Sequence, residues 1–133
     1  MPAPLLSEVE KGIVAGLLIG EGHFGGDGKS PQIVLKMHVR HEPLLRWLAD
    51  AFPRSRLYGP YEYDGRHFFQ WMARGAALAS DVLPVLEEVG LERYDAHAGA
   101  RLQAMKDNYS AFIERARARD ARAATDPPRS PPG

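Results

Sequence analysis

Residues 14–24 read Val-Ala-Gly-Leu-Leu-Ile-Gly-Glu-Gly-His-Phe, an apolar segment that ends in one carboxylate between two glycines. Upstream, Ser7-x-x-Glu10 has the pattern of a capping box, in which both side chains bond to free amides at the start of a helix. We therefore predict a helix that begins near Ser7 and ends near Gly22. Its second half is apolar on every side, which is typical of a helix buried both by its own domain and by a partner.

The composition is that of a single globular domain. The chain has 133 residues, of which 44% are hydrophobic and 26% charged, and these values exclude collagen, coiled coil and wholesale disorder. It has no cysteine, which excludes disulfides and thiolate chemistry. The longest apolar run, residues 12–20, is shorter than the roughly 18 residues of a membrane span, and acidic residues precede it. We expect a soluble cytoplasmic protein with one domain over residues 1–122 and a disordered proline-rich tail over 123–133.

Charge is distributed unevenly although the net charge is zero. Residues 36–74 carry seven basic and four acidic side chains, whereas residues 81–95 carry five acidic side chains and one arginine. Binding responds to the local field more than to the sum, so one side of the molecule is expected to be basic and another acidic.

Two Asp-Gly pairs, Asp27-Gly28 and Asp64-Gly65, predict two β-hairpins. The expected strands cover residues 23–26, 32–40, 57–63 and 66–74. Apolar and polar residues alternate in the second and fourth strands, which predicts an antiparallel sheet with one core face and one face rich in basic and amide groups.

Helices are predicted on both sides of the second hairpin. Residues 42–52 have a proline in the first turn and an apolar side. Residues 76–89 follow, with a kink or break at Pro84, and a last helix spans roughly 95–117. The fold class is α+β, with helices packed on one face of a four-stranded antiparallel sheet and the element order α-β-β-α-β-β-α-α.

Two short stretches resemble nucleotide-binding motifs, but the elements or residues around them exclude both motifs. Residues 20–25 match G-x-G-x-x-G, but a helix precedes them and a turn into a strand follows, the reverse of the dinucleotide-binding order. Residues 28–30 resemble the end of a P-loop, but its leading glycine would fall on His23.

Glu21 is the most informative single residue. The helix dipole disfavours a negative charge at a carboxyl end by roughly a few tenths of a kcal/mol. A solvated helix end is one interpretation. The other is that two such helices pack through small residues, so that two Glu21 carboxylates face each other and require cations. Magnesium prefers such oxygen ligands, and a pair of metals can serve phosphodiester hydrolysis.

Residues 14–24 resemble the signature of the LAGLIDADG homing endonuclease family, in the variant that ends Gly-Glu-Gly-x-Phe. The helix precedes hairpin, helix, hairpin and helix, as in the αββαββα core of that family, and the resemblance covers about residues 7–107. It implies a single-motif homodimer whose motif helices pack at the two-fold axis and whose sheets lie in the DNA major groove. Such a protein makes double-strand breaks at a long, near-palindromic site and supports intron or intein mobility.

The resemblance also implies site residues. Glu21 and Gly20 would bind Mg²⁺, with Mn²⁺ as a substitute, and Glu21, His41 and Arg93 would form the catalytic set. The expected dimer interface comprises Ala15, Gly16, Ile19 and Gly20. The DNA-binding side chains would be Gln32, Lys36, His38, Arg40, Arg56, Arg66, Gln70 and Arg74.

The match to the family is incomplete at three places. Ile19 replaces the first aspartate of the motif, a position that does not bind metal. His41 stands where members often have a polar residue that orders solvent. Arg93 and Tyr94 are the nearest candidates for a lysine that members often carry before a later helix.

Two other functions stay open at this stage. One is a LAGLIDADG-derived binder without catalysis, acting either as a DNA-binding regulator or as an RNA-binding intron maturase. The neutral net charge and the missing lysine favour that class, whereas Glu21 favours the nuclease. The other is a small-molecule enzyme, but the sequence shows no pattern typical of a catalytic nucleophile.

Overall fold

The computed structural model describes residues 5–125, which form an α+β domain in the predicted order. A capping box starts the first helix as expected: the Glu10 amide donates to Ser7 Oγ and the Ser7 amide to Glu10 Oε1. No helix within this range is long and apolar enough to cross a membrane. The elements are α1 (Glu8–Glu21), β1 (Gly22–Gly26), β2 (Pro31–His38), α2 (Glu42–Ala51), β3 (Arg56–Tyr63), β4 (Arg66–Arg74), α3 (Leu83–Val89), α4 (Ala96–Asn108) and α5 (Ser110–Thr125).

The four strands form one antiparallel sheet in the order β1-β2-β4-β3. Its two central strands, β2 and β4, pair from Gln32 with Arg74 to His38 with Phe68. Along both strands buried residues alternate with more exposed ones, which confirms the predicted two-faced sheet. A register shift in β3 between Tyr58 and Tyr61 puts both tyrosines opposite residues of the same face of β4.

The core lies between the sheet and the helices. Trp71 of β4 is fully buried, its indole N–H donates to Ser55 Oγ at 2.8 Å, and its ring lies 6.2 Å from that of Phe52. Leu45 and Leu48 of α2 are completely buried in the same core. The helical layer therefore covers one face of the sheet and leaves the other open.

Pro84 marks a change of helix type, as predicted for a kink. Residues Ala77–Val82 form a π-helix, and α3 begins immediately after it with Pro84 in its first turn. A proline fits there because the first amides of a helix have no intrahelical acceptor.

Three predicted boundaries are wrong. Strand β2 ends at His38, because the His38 ring accepts the Arg40 amide at 3.0 Å and turns the chain into a short 3₁₀ helix, Val39–His41. The last helix is two helices, because Tyr109 leaves the helical conformation where its hydroxyl reaches the Gly28 amide at 2.9 Å. Residues 123–125, expected in the tail, belong to α5. The remaining tail residues, 126–133, lie outside the described residues.

A buried ion pair fixes α5 to the domain. Asp81 is 3% exposed and accepts two hydrogen bonds of 2.8 Å from the Arg54 guanidinium, which also donates two of 3.1 Å to Asp120 of α5. The bonds to these carboxylates raise the pKa of Arg54 still further, and the guanidinium lowers the pKa of Asp120. Both shifts favour the charged forms of Arg54 and Asp120 at neutral pH.

We expect Asp81→Ala to lower the free energy of unfolding by about 3 kcal/mol, because it leaves a part-buried guanidinium short of one partner. Urea denaturation measures the change. The control is Asp50→Ala on the exposed side of α2, which should stay within about 0.5 kcal/mol of the parent. Equal effects of the two substitutions would show that the ion pair contributes no stability.

Candidate functional site

The open face of the sheet, which we term the outer face, is formed by side chains that alternate with the core positions. Neighbours across the strands share this face because directly paired residues of antiparallel strands project on the same side. Lys36 pairs with Gln70, which pairs in turn with Tyr58. The outer-face residues are Gln32, Val34, Lys36 and His38 of β2, Arg66, Phe68, Gln70, Met72 and Arg74 of β4, and Arg56, Tyr58, Tyr61 and Tyr63 of β3.

Seven of the eight side chains expected to contact DNA lie on the outer face. The eighth, Arg40, is in the 3₁₀ turn beyond β2, so strand alternation does not place it there. Its Nε lies 3.2 Å from Nδ1 of His38. Desolvation of the His38 ring, followed by the nearby charge of Arg40, lowers the pKa of His38, in agreement with a neutral imidazole that accepts the Arg40 amide.

The sequence pattern does not identify the exposed tyrosines of the outer face. Tyr61 and Tyr63 are 44% and 74% exposed, and the Tyr61 ring lies 5.6 Å from that of Phe68. Beside them is a cavity of about 430 Å³ lined in part by Lys36, Tyr63 and Arg66. The register shift in β3 hid this cluster, because it breaks the period of two that identifies a strand face.

Glu21 is the last residue of α1 and is exposed to solvent. Among residues 5–125 its carboxylate takes part in no salt bridge. The Gly20 carbonyl belongs to the last four of the helix, which have no intrahelical donor. Oxygen atoms of both residues are thus free to accept a ligand.

His41 and Arg93 lie at the same end of the sheet as Glu21. Gly22 pairs with Leu35, so Glu21 stands beside the end of β2 that leads to His41. Helix α4 runs alongside β1 in the same direction, because Arg101 contacts His23 and Tyr109 contacts the hairpin turn. The 3₁₀ turn that carries Arg93 precedes α4 and therefore lies toward Glu21. Both residues are exposed.

The described residues do not form a complete metal site. Within residues 5–125 no three His, Cys, Asp or Glu side chains are grouped so as to hold a metal ion. Magnesium is commonly bound through one or two carboxylates together with waters and substrate phosphates. The residues present fit such an ion if a second carboxylate or a phosphate completes the site.

Within residues 5–125 no element covers one side of α1. An added Cβ at Gly12, Gly16 or Gly20 meets no atom within 4 Å, and Val9 and Ile13 on the same side are 73% and 44% exposed. One of the expected interface residues is placed differently. Ala15 is 2% exposed, because its side of the helix faces the core of its own domain, and so it is not available to a partner. Ile19 is partly buried.

The acidic segment 81–95 is largely neutralised within the chain. Glu87 pairs with Lys106 at 2.8 Å and with Arg117 at 2.9 Å, and Glu88 pairs with Lys11 at 3.0 Å. Asp95 caps α4. These contacts neutralise acidic side chains within the helical layer.

The fold is that of the LAGLIDADG homing endonucleases, as three solved structures show. The DNA complex of I-CeuI, a group I intron-encoded homing endonuclease, superposes with a TM-score of 0.61 and 16% identity over 83% of this chain and 56% of that one. The LAGLIDADG homing endonuclease I-GzeII with its DNA target gives 0.60 and 16% over 92% and 40%. I-LtrWI bound to target DNA gives 0.50 and 17% over 85% and 45%.

The chain thus spans about half the length of these solved proteins. No protein-family model matches it, and no curated protein sequence matches it significantly.

Proposed function

We propose that this chain, which has the LAGLIDADG homing endonuclease fold, is a homodimeric, sequence-specific DNA endonuclease. The observation that carries the proposal is the exposed Glu21 carboxylate at the end of an uncovered apolar helix face, beside a basic sheet face. The similar solved structures contain DNA, which supports a duplex as the partner.

The outer face suits the major groove of DNA. Arginine and lysine bind guanine edges or phosphates, and glutamine forms paired hydrogen bonds with adenine. Lys36 and Gln70 are direct neighbours on the central strands, and the basic Arg66 and Arg74 stand at the two ends of β4. In the proposal the central residues read bases and the terminal arginines bind phosphates.

Dimerisation completes the catalytic end. Packing of α1 against its copy through Gly12, Gly16 and Gly20 brings two Glu21 carboxylates together near the axis. These carboxylates and the Gly20 carbonyls would hold Mg²⁺, or Mn²⁺ in its place, and a bound divalent ion supplies an activated water and stabilises the leaving oxygen. His41 and Arg93, at the same end, would hold solvent and the phosphate in position.

A selection from a random duplex pool tests the function. Protein-bound duplexes are retained with Ca²⁺ and then exposed to Mg²⁺. We expect a near-palindromic site that is bound in Ca²⁺ and cut on both strands in Mg²⁺. A site that is bound but never cut would instead support the alternative, a DNA-binding regulator on the same fold. Preferential binding of structured RNA over any duplex would support the maturase alternative.

Arg66 and Arg74 provide a quantitative test of the outer face. Replacing either arginine with alanine should reduce the salt slope of DNA binding by about one unit per protomer, because one phosphate contact is lost per chain. Fluorescence anisotropy at several salt concentrations measures the slope. Arg46→Ala, in the helical layer, is the matched control and should leave it unchanged. An unchanged slope in both β4 variants would place those arginines off the interface.

A further inference from the structure

Helix α5 carries a row of arginines that the proposed sheet interface does not use. Arg115, Arg119 and Arg122 stand four and three residues apart, a spacing that puts them on one face of a helix. All three are exposed, and within residues 5–125 none of them takes part in a salt bridge. We refer to these three residues as the α5 stripe.

The orientation of the α5 stripe is fixed by the opposite side of the helix. Ile113 and Ala116 are buried in the core. Arg117 donates to the Ala79 carbonyl at 2.8 Å and to Glu87 at 2.9 Å, and Asp120 accepts two bonds from Arg54. Because these contacts hold one side of α5 against the domain, the stripe points away from it.

The α5 stripe continues the basic end of the outer face. Arg56 and Arg74 line a cavity of about 240 Å³ that extends to Gly75 at the end of β4. A second groove of about 210 Å³ begins at Gly75 and is lined by Arg115 and Arg119 of α5. The shared Gly75 joins the two concavities, so that a row of cationic side chains leads from the end of the sheet onto α5.

The local field along this row is positive although the chain is neutral overall. Asp120, which lines the groove with Arg115 and Arg119, is paired with Arg54. Glu87 is paired with Lys106 and Arg117. Helix α5 also carries the exposed acidic side chain of Glu114, but the three arginines of the stripe outnumber it. A surface of this kind attracts a polyanion by its local charge.

We propose that the α5 stripe binds backbone phosphates of duplex DNA that extends past the end of the sheet. The eight residues from Arg115 to Arg122 span about 10 Å of helix between the first and the last, which equals the axial rise of about three phosphates of one DNA strand. The contact adds affinity without base recognition. This inference rests on the proposed function, because the sheet sets the path of the duplex.

Duplex length separates the α5 stripe from the sheet. Strand β4 has nine residues and is about 30 Å long, so two protomers cover about 18 base pairs with their sheets. The test compares the parent with the triple variant Arg115→Gln/Arg119→Gln/Arg122→Gln on duplexes of about 18 and 36 base pairs, without Mg²⁺. The substituted positions are exposed, and circular dichroism checks that α5 is retained.

On the long duplex the triple variant should lose two to three units of salt slope per protomer, at about 0.9 per phosphate. On the short duplex its slope and affinity should equal those of the parent. Arg46→Gln, which removes a charge from the helical layer, should change neither the salt slope nor the affinity on either duplex. Loss of slope on both duplexes, or on neither, overturns the proposed flanking contact.

The result also separates this inference from the proposed function. If Arg66→Ala and Arg74→Ala weaken binding but the triple variant does not, the sheet binds DNA and the α5 contact is wrong. If only the triple variant weakens binding, the α5 stripe binds a duplex but the sheet does not. The proposed sheet interface is then wrong, and so is the placement of the stripe beside it.

Discussion

Glu21→Gln is expected to abolish DNA cleavage while leaving DNA affinity unchanged or raised. Glutamine keeps the size of the side chain but removes the charge that would hold a divalent cation. Loss of one electrostatic stabiliser of a transition state lowers rates by about 10²- to 10³-fold, and each dimer loses two. Affinity does not fall, because an exposed carboxylate near the phosphates repels them in the absence of metal.

The measurement is cleavage of the selected site in Mg²⁺, with binding followed in parallel in the absence of divalent cations. Asp50→Asn is the matched control, since it removes one exposed carboxylate from α2, far along the chain from the motif. It should cleave like the parent. Loss of binding by Glu21→Gln would assign the carboxylate to the assembly of the interface, and undiminished cleavage would remove it from the catalytic set.

Gly16→Leu is expected to convert the proposed dimer into a monomer. An added Cβ at position 16 meets no atom within 4 Å, so we expect the protomer to accept the larger residue, whereas a second α1 helix packed against this side would be displaced by several ångströms. Leucine also favours a helix over glycine by roughly 0.5–1 kcal/mol, so the folded monomer is not destabilised. Light scattering should give the mass of one chain.

The control for Gly16→Leu is Ala104→Leu, an equivalent enlargement on the exposed side of α4. It should leave the mass of the dimer unchanged. The monomeric variant should also lose affinity for a palindromic site, because the two half-sites are then bound independently. A dimer mass for Gly16→Leu would move the interface away from the glycine side of α1.

Local chemistry in the sequence determined the elements that carry the candidate site. The capping box at Ser7 and the glycine at position 22 define α1, and with it the placement of Glu21. The two Asp-Gly pairs define the hairpins. Asp64 and Gly65 both have positive φ, whereas in the first pair Gly28 has positive φ and Asp27 Oδ1 accepts hydrogen bonds from the amides two and three residues further on. Alternation then separates the two faces of β2 and β4, because successive strand residues point to opposite sides.

Tertiary structure decided the features that depend on residues far apart in the chain. The helix break at Tyr109 coincides with a bond to Gly28, 81 residues away, and no proline or glycine marks it. The tyrosine cluster depends on how β3 is registered against β4. Likewise, only the packing of α5 shows that Arg117 turns inward while Arg115 and Arg119 face out.

The sequence by itself therefore determined the motif helix, the two hairpins and the polar side of the sheet, because each follows from backbone preferences within a few residues. Only the tertiary structure decided which charges are neutralised within the chain, which side of α1 is uncovered and where the basic surface continues. Those properties arise from pairings such as Arg54 with Asp81 and Asp120, whose partners no local period can identify.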